Sequence, residues 1–350
     1  MKTVCILGNF DFGNDTCSGQ IIKTRMIAEE IGKRIQEVTL SDTAGGLKFL
    51  LKLPYIIFTL LIKHKNIIIL PAQNGIHIIP LFLVGLNVFF RRKLHYVVIG
   101  GWLPDFLQQY WHLRIILKGI DVIYVETDKM KKRISKIGLS NTLVMPNCKS
   151  LNILTPKEVE AHDNKDKNSF PLKLCTFSRV MKEKGIEDAV HAVIQCNTEL
   201  GFEAFSLDIF GKIINSEHIW FDNLMKNVPK YISYGGQIGY TESTDKLRTY
   251  YMLLFPTYYS GEGHAGTLID ALASGLPVIA TDWHDNTTII TDGETGFITP
   301  IKDAKRMAQK LIYIYNNPEL IHKMRYNCIE KAQDYVPDKI ITILINELKK

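Results

Sequence analysis

The chain has no Cys-x-x-Cys pair and no cluster of Cys with His, so structural zinc is not indicated. Its six cysteines (Cys5, Cys17, Cys148, Cys175, Cys196 and Cys328) are scattered, which fits thiols kept reduced. No Asp-x-Asp offers a divalent metal a site. Gly8, Gly13 and Gly19 miss the Gly-x-Gly-x-x-Gly spacing, so a dinucleotide cofactor is not indicated either. No export signal is expected ahead of the first strand, because residues 3–7 read as a buried strand and not as an export core with a cleavage site. Nucleic-acid motifs are missing, as is any basic stripe with interleaved aromatics. Formal charge is absent between Lys65 and Arg91, a length that could span a bilayer. Pro71, Gln73, Asn74, Gly75, His77 and Pro80 break that run, so a strand, a polar loop and a buried helix over about 79–89 are expected instead of a transmembrane helix.

What is present is an ordinary globular composition. With 350 residues, 46% of them hydrophobic, the chain can bury the cores of two α/β domains. Its net charge of +6 is uneven. Residues 1–150 carry 20 Lys/Arg against 10 Asp/Glu, and residues 151–350 carry 22 against 26, so the two parts stand at +10 and −4. Most of the excess falls after Gly45, and a basic half of this kind suits an anionic surface such as phospholipid or a pyrophosphate-bearing lipid. The helix expected over 47–62, interrupted near Pro54, has Lys48, Lys52, Lys63 and Lys65 at its margins and carries Phe49, Tyr55 and Phe58. Two readings of it stay open: insertion into a membrane interface, or burial against a sheet. Residues 156–169 are charged and polar without apolar period and read as a linker.

The stretch with most chemistry is TYYSGEGHAGTLIDALASGLPVIATDW, residues 257–283. An apolar run, 252–255, closed by Pro256, places 257–266 as a loop at the C-terminal end of a strand. A helix capped by Thr267 should follow, with Leu268, Ile269, Leu272 and Ala273 on its apolar face and Gly275 and Pro277 ending it. The N–H groups of such a loop, around Gly263 and Gly266, and the positive end of the helix at Thr267 and Leu268, would stabilise a phosphate. Two acids flank that spot, Glu262 in the loop and Asp270 in the helix's first turn, with seven residues between them.

Glu-x7-Asp within GEGHAGTLIDALASGLPVIATDW resembles the Glu-x7-Glu signature of the retaining glycosyltransferases of family 4, which have the GT-B fold. Asp270 is one methylene shorter than the usual Glu but keeps two acceptor oxygens. Other stretches carry the resemblance further. They are SGQIIKTR at 18–25, similar to capsule-type members, SRVMKEKG at 178–185, similar to the family's Gly-Arg…Glu-Lys-Gly loop, and DGETG at 292–296.

The resemblance implies two Rossmann-like domains with parallel sheets facing across an interdomain cleft: an acceptor-side domain over 1–150, a linker over 151–170, a nucleotide-sugar domain over 171–335, and a terminal helix over 336–350 returning to the first. It implies transfer of a sugar from a nucleotide diphosphate, most often UDP, with retained configuration. Arg179 and Lys184 bind the donor pyrophosphate, whose charge grows as the glycosidic bond breaks. Glu262 approaches the transferred sugar, Asp270 the ribose, and the backbone near Ile238 the base. The loop ending at Gly19 lines the cleft, with Lys23 and Arg25 either facing it or solvated. His264 could add a hydrogen bond or proton relay. On the acceptor side Trp102 could stack on a sugar and Asp105 accept a hydroxyl, though Gly-Gly-Trp stands where relatives have a His; core packing is the other reading of Trp102.

No cofactor and no metal are expected, since the cations and loop amides do what a metal does elsewhere. The expected setting is cell-surface polysaccharide synthesis, capsule or lipopolysaccharide, with a saccharide or lipid-linked acceptor, by a cytoplasmic protein peripheral on the membrane and independent of nucleic acid. A nucleotide-sugar epimerase of the same fold and a non-catalytic partner subunit are the other readings.

Overall fold

Short apolar runs alternating with helical stretches produce two parallel sheets, since each strand–helix–strand crossover returns the chain in the same direction. The structure, a computed structural model, describes residues 3–12, 19–166, 170–239 and 242–350. Gly13, Cys17 and Ser18 lie outside them. The chain divides into two units, Met1–Ser150 with Pro337–Lys350, and Leu151–Val336.

Unit 1 runs β1 (Val4–Gly8), α1 (Gly19–Gly32), β2 (Val38–Asp42), α2 (Gly46–Lys63), β3 (Asn66–Leu70), α3 (Ile79–Phe90), β4 (Lys93–Val97), α4 (Leu103–Gln109), α5 (Trp111–Leu117), β5 (Val122–Val125), α6 (Asp128–Lys136) and β6 (Thr142–Val144). The six strands lie in the order β2-β1-β3-β4-β5-β6, all parallel. Alternate side chains face opposite sides. Cys5, Leu7, Ile67, Ile69 and Tyr96 pack against α2 to α6, while Val4, Ile6, Ile68 and Tyr124 pack against α1 and the chain's last helix. Among the described residues no helix is long and apolar enough to cross a membrane.

Two expectations for this unit are corrected. α2 is not interrupted at Pro54; it continues for 18 residues. Proline removes the hydrogen bond to the carbonyl four residues back, here Leu50. Pro54 and Leu50 both lie on the exposed side, where water can take that carbonyl, while Leu53, Ile57, Leu60 and Leu61 hold the other side in the core. α3 is not a buried helix. Ile79, Pro80 and Leu83 are buried, but Leu81, Phe82, Val88 and Phe89 are exposed.

His95 on β4 shows what burial does to a titratable group here. Its Nδ1 lies 3.0 Å from the Tyr124 hydroxyl, its Nε2 is buried without a hydrogen-bond partner, and desolvation pushes its pKa down to about 4. A folded-state pKa below the ordinary 6.5 makes the native state bind fewer protons, so the stability it confers is complete above about pH 6.5 and is lost as pH falls towards 4. Denaturant titrations between pH 7 and 4 should show a loss of roughly 1.4 kcal/mol per pH unit in that window that His95→Asn does not show.

Unit 2 runs α7 (Pro156–Asp166), β7 (Leu172–Phe177), α8 (Ile186–Leu200), β8 (Phe205–Phe210), α9 (His218–Lys226), β9 (Ile232–Gly236), α10 (Ser243–Leu247), β10 (Met252–Phe255), α11 (Gly266–Ala273), β11 (Val278–Thr281), α12 (Asn286–Ile289), β12 (Gly296–Thr299), α13 (Ala304–Asn316) and α14 (Glu319–Ala332). The last helix, α15 (Pro337–Lys349), belongs to unit 1. Unit 2's strands are parallel in the order β12-β11-β10-β7-β8-β9.

Residues 151–166 are part of this unit and not a linker. Thr155 and Glu158 form a reciprocal cap at the start of α7, with Thr155 N donating to Glu158 Oε2 at 2.7 Å and Glu158 N donating to Thr155 Oγ1 at 3.4 Å. Leu154 and Val159 then pack with Ile329 of α14, and Leu154 N bonds the Ala273 carbonyl at 2.9 Å. The α7 sequence, PKEVEAHDNKD, offers only Val159 and Ala161 as apolar side chains after Pro156, which leaves no readable period.

Candidate functional site

In unit 2 the strand order reverses at one place. From β7 the chain steps to β8 and β9 on one side, then returns to β10, which pairs with β7 on the other. The crossovers after β7 and β10 therefore run to opposite faces of the sheet, and open α/β sheets bind ligands in the crevice at such a switch point. Both stretches singled out in the sequence leave the sheet here: Ser178–Gly185 after β7 and Thr257–Ala265 after β10.

The β7 loop is fixed by backbone. Val180 N bonds Lys212 O at 2.9 Å and Ile214 N bonds Val180 O at 3.2 Å, tying it to the loop after β8. The contact is so close at Gly211 (φ +139°) that an added Cβ would lie 1.7 Å from the Ser178 carbonyl oxygen. A single 3-10 turn, Lys182–Lys184, then ends at Gly185 in the left-handed region (φ +69°). A Cβ there would lie 2.1 Å from the Pro256 carbonyl oxygen. Gly185 thus lets the β7 loop press against the end of β10, and that brings Lys184 to the β10 loop.

There the Lys184 ammonium meets the Glu262 carboxylate, Nζ to Oε2 at 2.5 Å, with both side chains about nine-tenths buried. Thr257 Oγ1 donates to the same oxygen at 2.9 Å, and Thr281 Oγ1 donates to the Thr257 carbonyl at 2.5 Å, so β11 braces the loop from below. Tyr259 is shared: Lys184 Nζ and the Arg179 guanidinium carbon each lie 5.1 Å from its ring centroid, which bounds their separation at twice that distance. Trp283 Nε1 holds the Tyr259 carbonyl at 2.8 Å. The structure therefore brings Arg179, Lys184 and Glu262 together. Arg179 is exposed, a cation open to an incoming anion.

α11 starts at Gly266, with Ala265 as its cap residue and no capping side chain, so Thr267 does not cap it; Thr267 is already helical. Gly263 and Leu268 are buried on either side of that start, and Gly266 and Thr267 half-buried. Asp270 sits one turn further in than expected. It is 4% exposed, and its Oδ2 accepts from Ser243 Oγ of α10 at 3.2 Å. Asp270 and Glu262 thus have different neighbours. His264 is buried with its ring 5.2 Å from that of Tyr335. Ile238, past β9, is half-buried against the core around β10 and α11.

Unit 1 holds the remaining candidates. Gly19 opens α1 with clear space around it. Lys23 is neither solvated nor available: it is 5% exposed and paired with Glu126 at 2.6 Å. Arg25 is exposed, and its guanidinium clasps the Phe10 and Asp11 carbonyls at 2.7 and 2.8 Å. Trp102 is half-buried, donates Nε1 to Ile99 O at 2.8 Å and meets Phe106 edge-on, while exposed Asp105 is ion-paired with Arg133.

Sequence reading missed Thr257, Tyr259 and Ser243. The first two stood inside the stretch already quoted, and a hydroxyl and an aromatic beside Glu262 were the available signal. Ser243 had none, because its contact with Asp270 depends on how α10 packs on α11. Among the described residues no group of three or more His, Cys, Asp or Glu could hold a metal ion.

Residues 171–317 match the family described as glycosyl transferases group 1. Over 232 residues the chain is 25% identical to the UDP-N-acetylglucosamine–peptide N-acetylglucosaminyltransferase GtfA subunit of Streptococcus pneumoniae, covering 63% of this chain and 44% of that protein. It is 24% identical over 173 residues to the capsular polysaccharide biosynthesis glycosyltransferase CapM of Staphylococcus aureus, 47% of this chain and 42% of that one. The chain thus spans less than half the length of either relative. Among solved structures, Anabaena HepE in complex with UDP superposes with a TM-score of 0.76 at 12% identity, covering 99% of both chains. That likeness shows a shared two-domain α/β fold.

Proposed function

We propose, because residues 171–317 match the family described as glycosyl transferases group 1, that the chain transfers a sugar from a UDP-sugar to a saccharide or lipid-linked acceptor. The observation that carries this reading is the meeting of Arg179, Lys184 and Glu262 at the strand-order reversal of unit 2. A diphosphate laid across that crevice meets the exposed Arg179 guanidinium and the Lys184 ammonium, and both stabilise the charge that develops on the leaving UDP. Glu262 sits beside the departing bond, where its free oxygen can accept a sugar hydroxyl. Asp270 and Ser243 bind the ribose, and Ile238 flanks the base. Configuration is retained, with the leaving phosphate taking the acceptor's proton, and no metal is required because fixed cations carry the charge. The names of the two relatives, one acting with UDP-N-acetylglucosamine and one in capsule synthesis, support UDP as the nucleotide and surface polysaccharide as the setting. The basic first unit supports peripheral attachment to a membrane.

Thermal unfolding with UDP, GDP and ADP tests the site. A nucleotide at about a hundred times its Kd adds about 2.7 kcal/mol, which for a unit of this size raises Tm by roughly 5–10 °C. UDP is expected to give the largest shift; no shift with any of the three removes the reading. Release of UDP only when an acceptor is supplied separates a transferase from an epimerase, which needs none.

A further inference from the structure

The helices covering one side of unit 1's sheet leave an apolar outer face. On α2 it comprises Leu50, Leu51, Tyr55, Phe58 and Ile62, on α3 Leu81, Phe82, Val88 and Phe89, and on α5 Trp111 and Ile115. These are 11 of the 19 large hydrophobic residues exposed among the described residues, on three helices of 18, 12 and 7 residues. Exposed apolar residues scattered singly are normal; a concentration of this kind marks an interaction surface. The three helices form one layer. Their inner sides share one core, the Phe58 and Phe90 rings meet edge-on at 5.7 Å between α2 and α3, and a Cβ on Gly119, just past α5, would come within 2.4 Å of Val84 of α3.

Charge decides what the face suits. No Asp or Glu stands between Asp42 and Asp105, and α5 adds none. Basic residues border the layer instead: Lys52, Lys63 and Lys65 on and after α2, Arg91 and Lys93 after α3, and Lys118 after α5. A soluble protein partner of ordinary mixed charge gives no reason for the complete loss of acids over that length. Apolar and aromatic side chains inside a rim of one sign are instead the composition of a surface that lies in the head-group region of an anionic bilayer.

We propose that the outer face of α2, α3 and α5 docks on an anionic phospholipid surface, with Leu51, Phe89 and Trp111, each more than 60% exposed, entering the interface and the lysines and arginines meeting phosphate groups. This deepens the membrane part of the reading above and does not depend on the transfer chemistry, which is read separately by the UDP-induced thermal shift of unit 2.

The test is co-sedimentation of the full chain with vesicles of phosphatidylcholine alone and of phosphatidylcholine with phosphatidylglycerol. The chain should pellet with the anionic vesicles at least about tenfold more strongly, as expected when two or more basic residues engage at about fivefold each, and added salt should weaken binding. Leu51→Ser with Phe89→Ser should lower binding about tenfold or more, because both side chains leave the interface. Lys52→Glu with Lys118→Glu should abolish the preference for phosphatidylglycerol. All four positions are solvent-facing, so circular dichroism should be unchanged. Equal binding to both vesicles, no binding to either, or variants that pellet like the native chain would overturn the proposal. So would sedimentation velocity without lipid showing a dimer that Phe89→Ser converts to monomer, since the face would then pair two copies of the chain.

Discussion

Lys184→Ala is expected to lower kcat for sugar transfer by about 10²–10³-fold, the usual cost of removing one group that meets charge developing in the transition state. The Lys184 ammonium is held in one place by Glu262, lies 5.1 Å from the centroid of the Tyr259 ring, and is largely dehydrated. A fixed, dehydrated cation reorganises little as the diphosphate departs, so its effect on kcat exceeds its effect on substrate binding. The same substitution strands the Glu262 carboxylate in a buried site, which costs stability by itself. Lys184→Met with Glu262→Gln separates the two effects: the pair restores thermal stability toward the native value without restoring turnover. UDP release followed over a range of donor concentrations gives kcat and KM, and a kcat within threefold of native for Lys184→Ala would end the assignment.

Gly185→Ala should be strongly destabilising. The position needs φ +69°, which an L side chain adopts at a cost of about 1–2 kcal/mol, and the new Cβ would sit 2.1 Å from the Pro256 carbonyl oxygen. Relieving that clash moves backbone and not a flexible side chain, adding about 1–3 kcal/mol. The sum, about 2–5 kcal/mol, corresponds to a fall in Tm of roughly 4–20 °C for a unit of this length. The same separation of the β7 and β10 loops carries Lys184 away from Glu262, so the UDP-induced stabilisation should fall with it. Gly201→Ala is the control: its φ of +81° imposes the backbone term, but nothing lies within 4 Å of the added methyl. If the two variants melt alike, close packing at Gly185 is not what shapes the loop.

In unit 2 the strand over 252–255 was legible because it is a short apolar run closed by Pro256, and loops past strand ends could be placed in that way. The residues that bear charge stand in those loops, a few positions past a strand end. Arg179, Lys184 and Glu262 could be singled out as candidates for that reason. What was not readable depended on partners distant in sequence. Pro54 survives inside α2 because Leu50 and Pro54 happen to face water. α7 forms from a charged stretch because Val159 meets α14. An almost wholly apolar α3 carries no period to say which side is covered, and only the packing of α2 and α5 beside it decides. Lys23 looked like a surface or site lysine until Glu126, 103 residues away, was placed against it.

Helix α15 supplies Ile340, Ile341, Leu344, Ile345 and Leu348 to the side of unit 1's sheet that carries Val4, Ile6 and Ile68. Those strands are synthesised before unit 2 and that helix after it. Until it arrives, a strip of unit 1 lacks the cover α15 gives it, whereas unit 2 is one uninterrupted segment of the chain. A ribosome making this chain therefore releases a second half able to close before the first, reversing the amino-to-carboxyl order in which domains ordinarily mature.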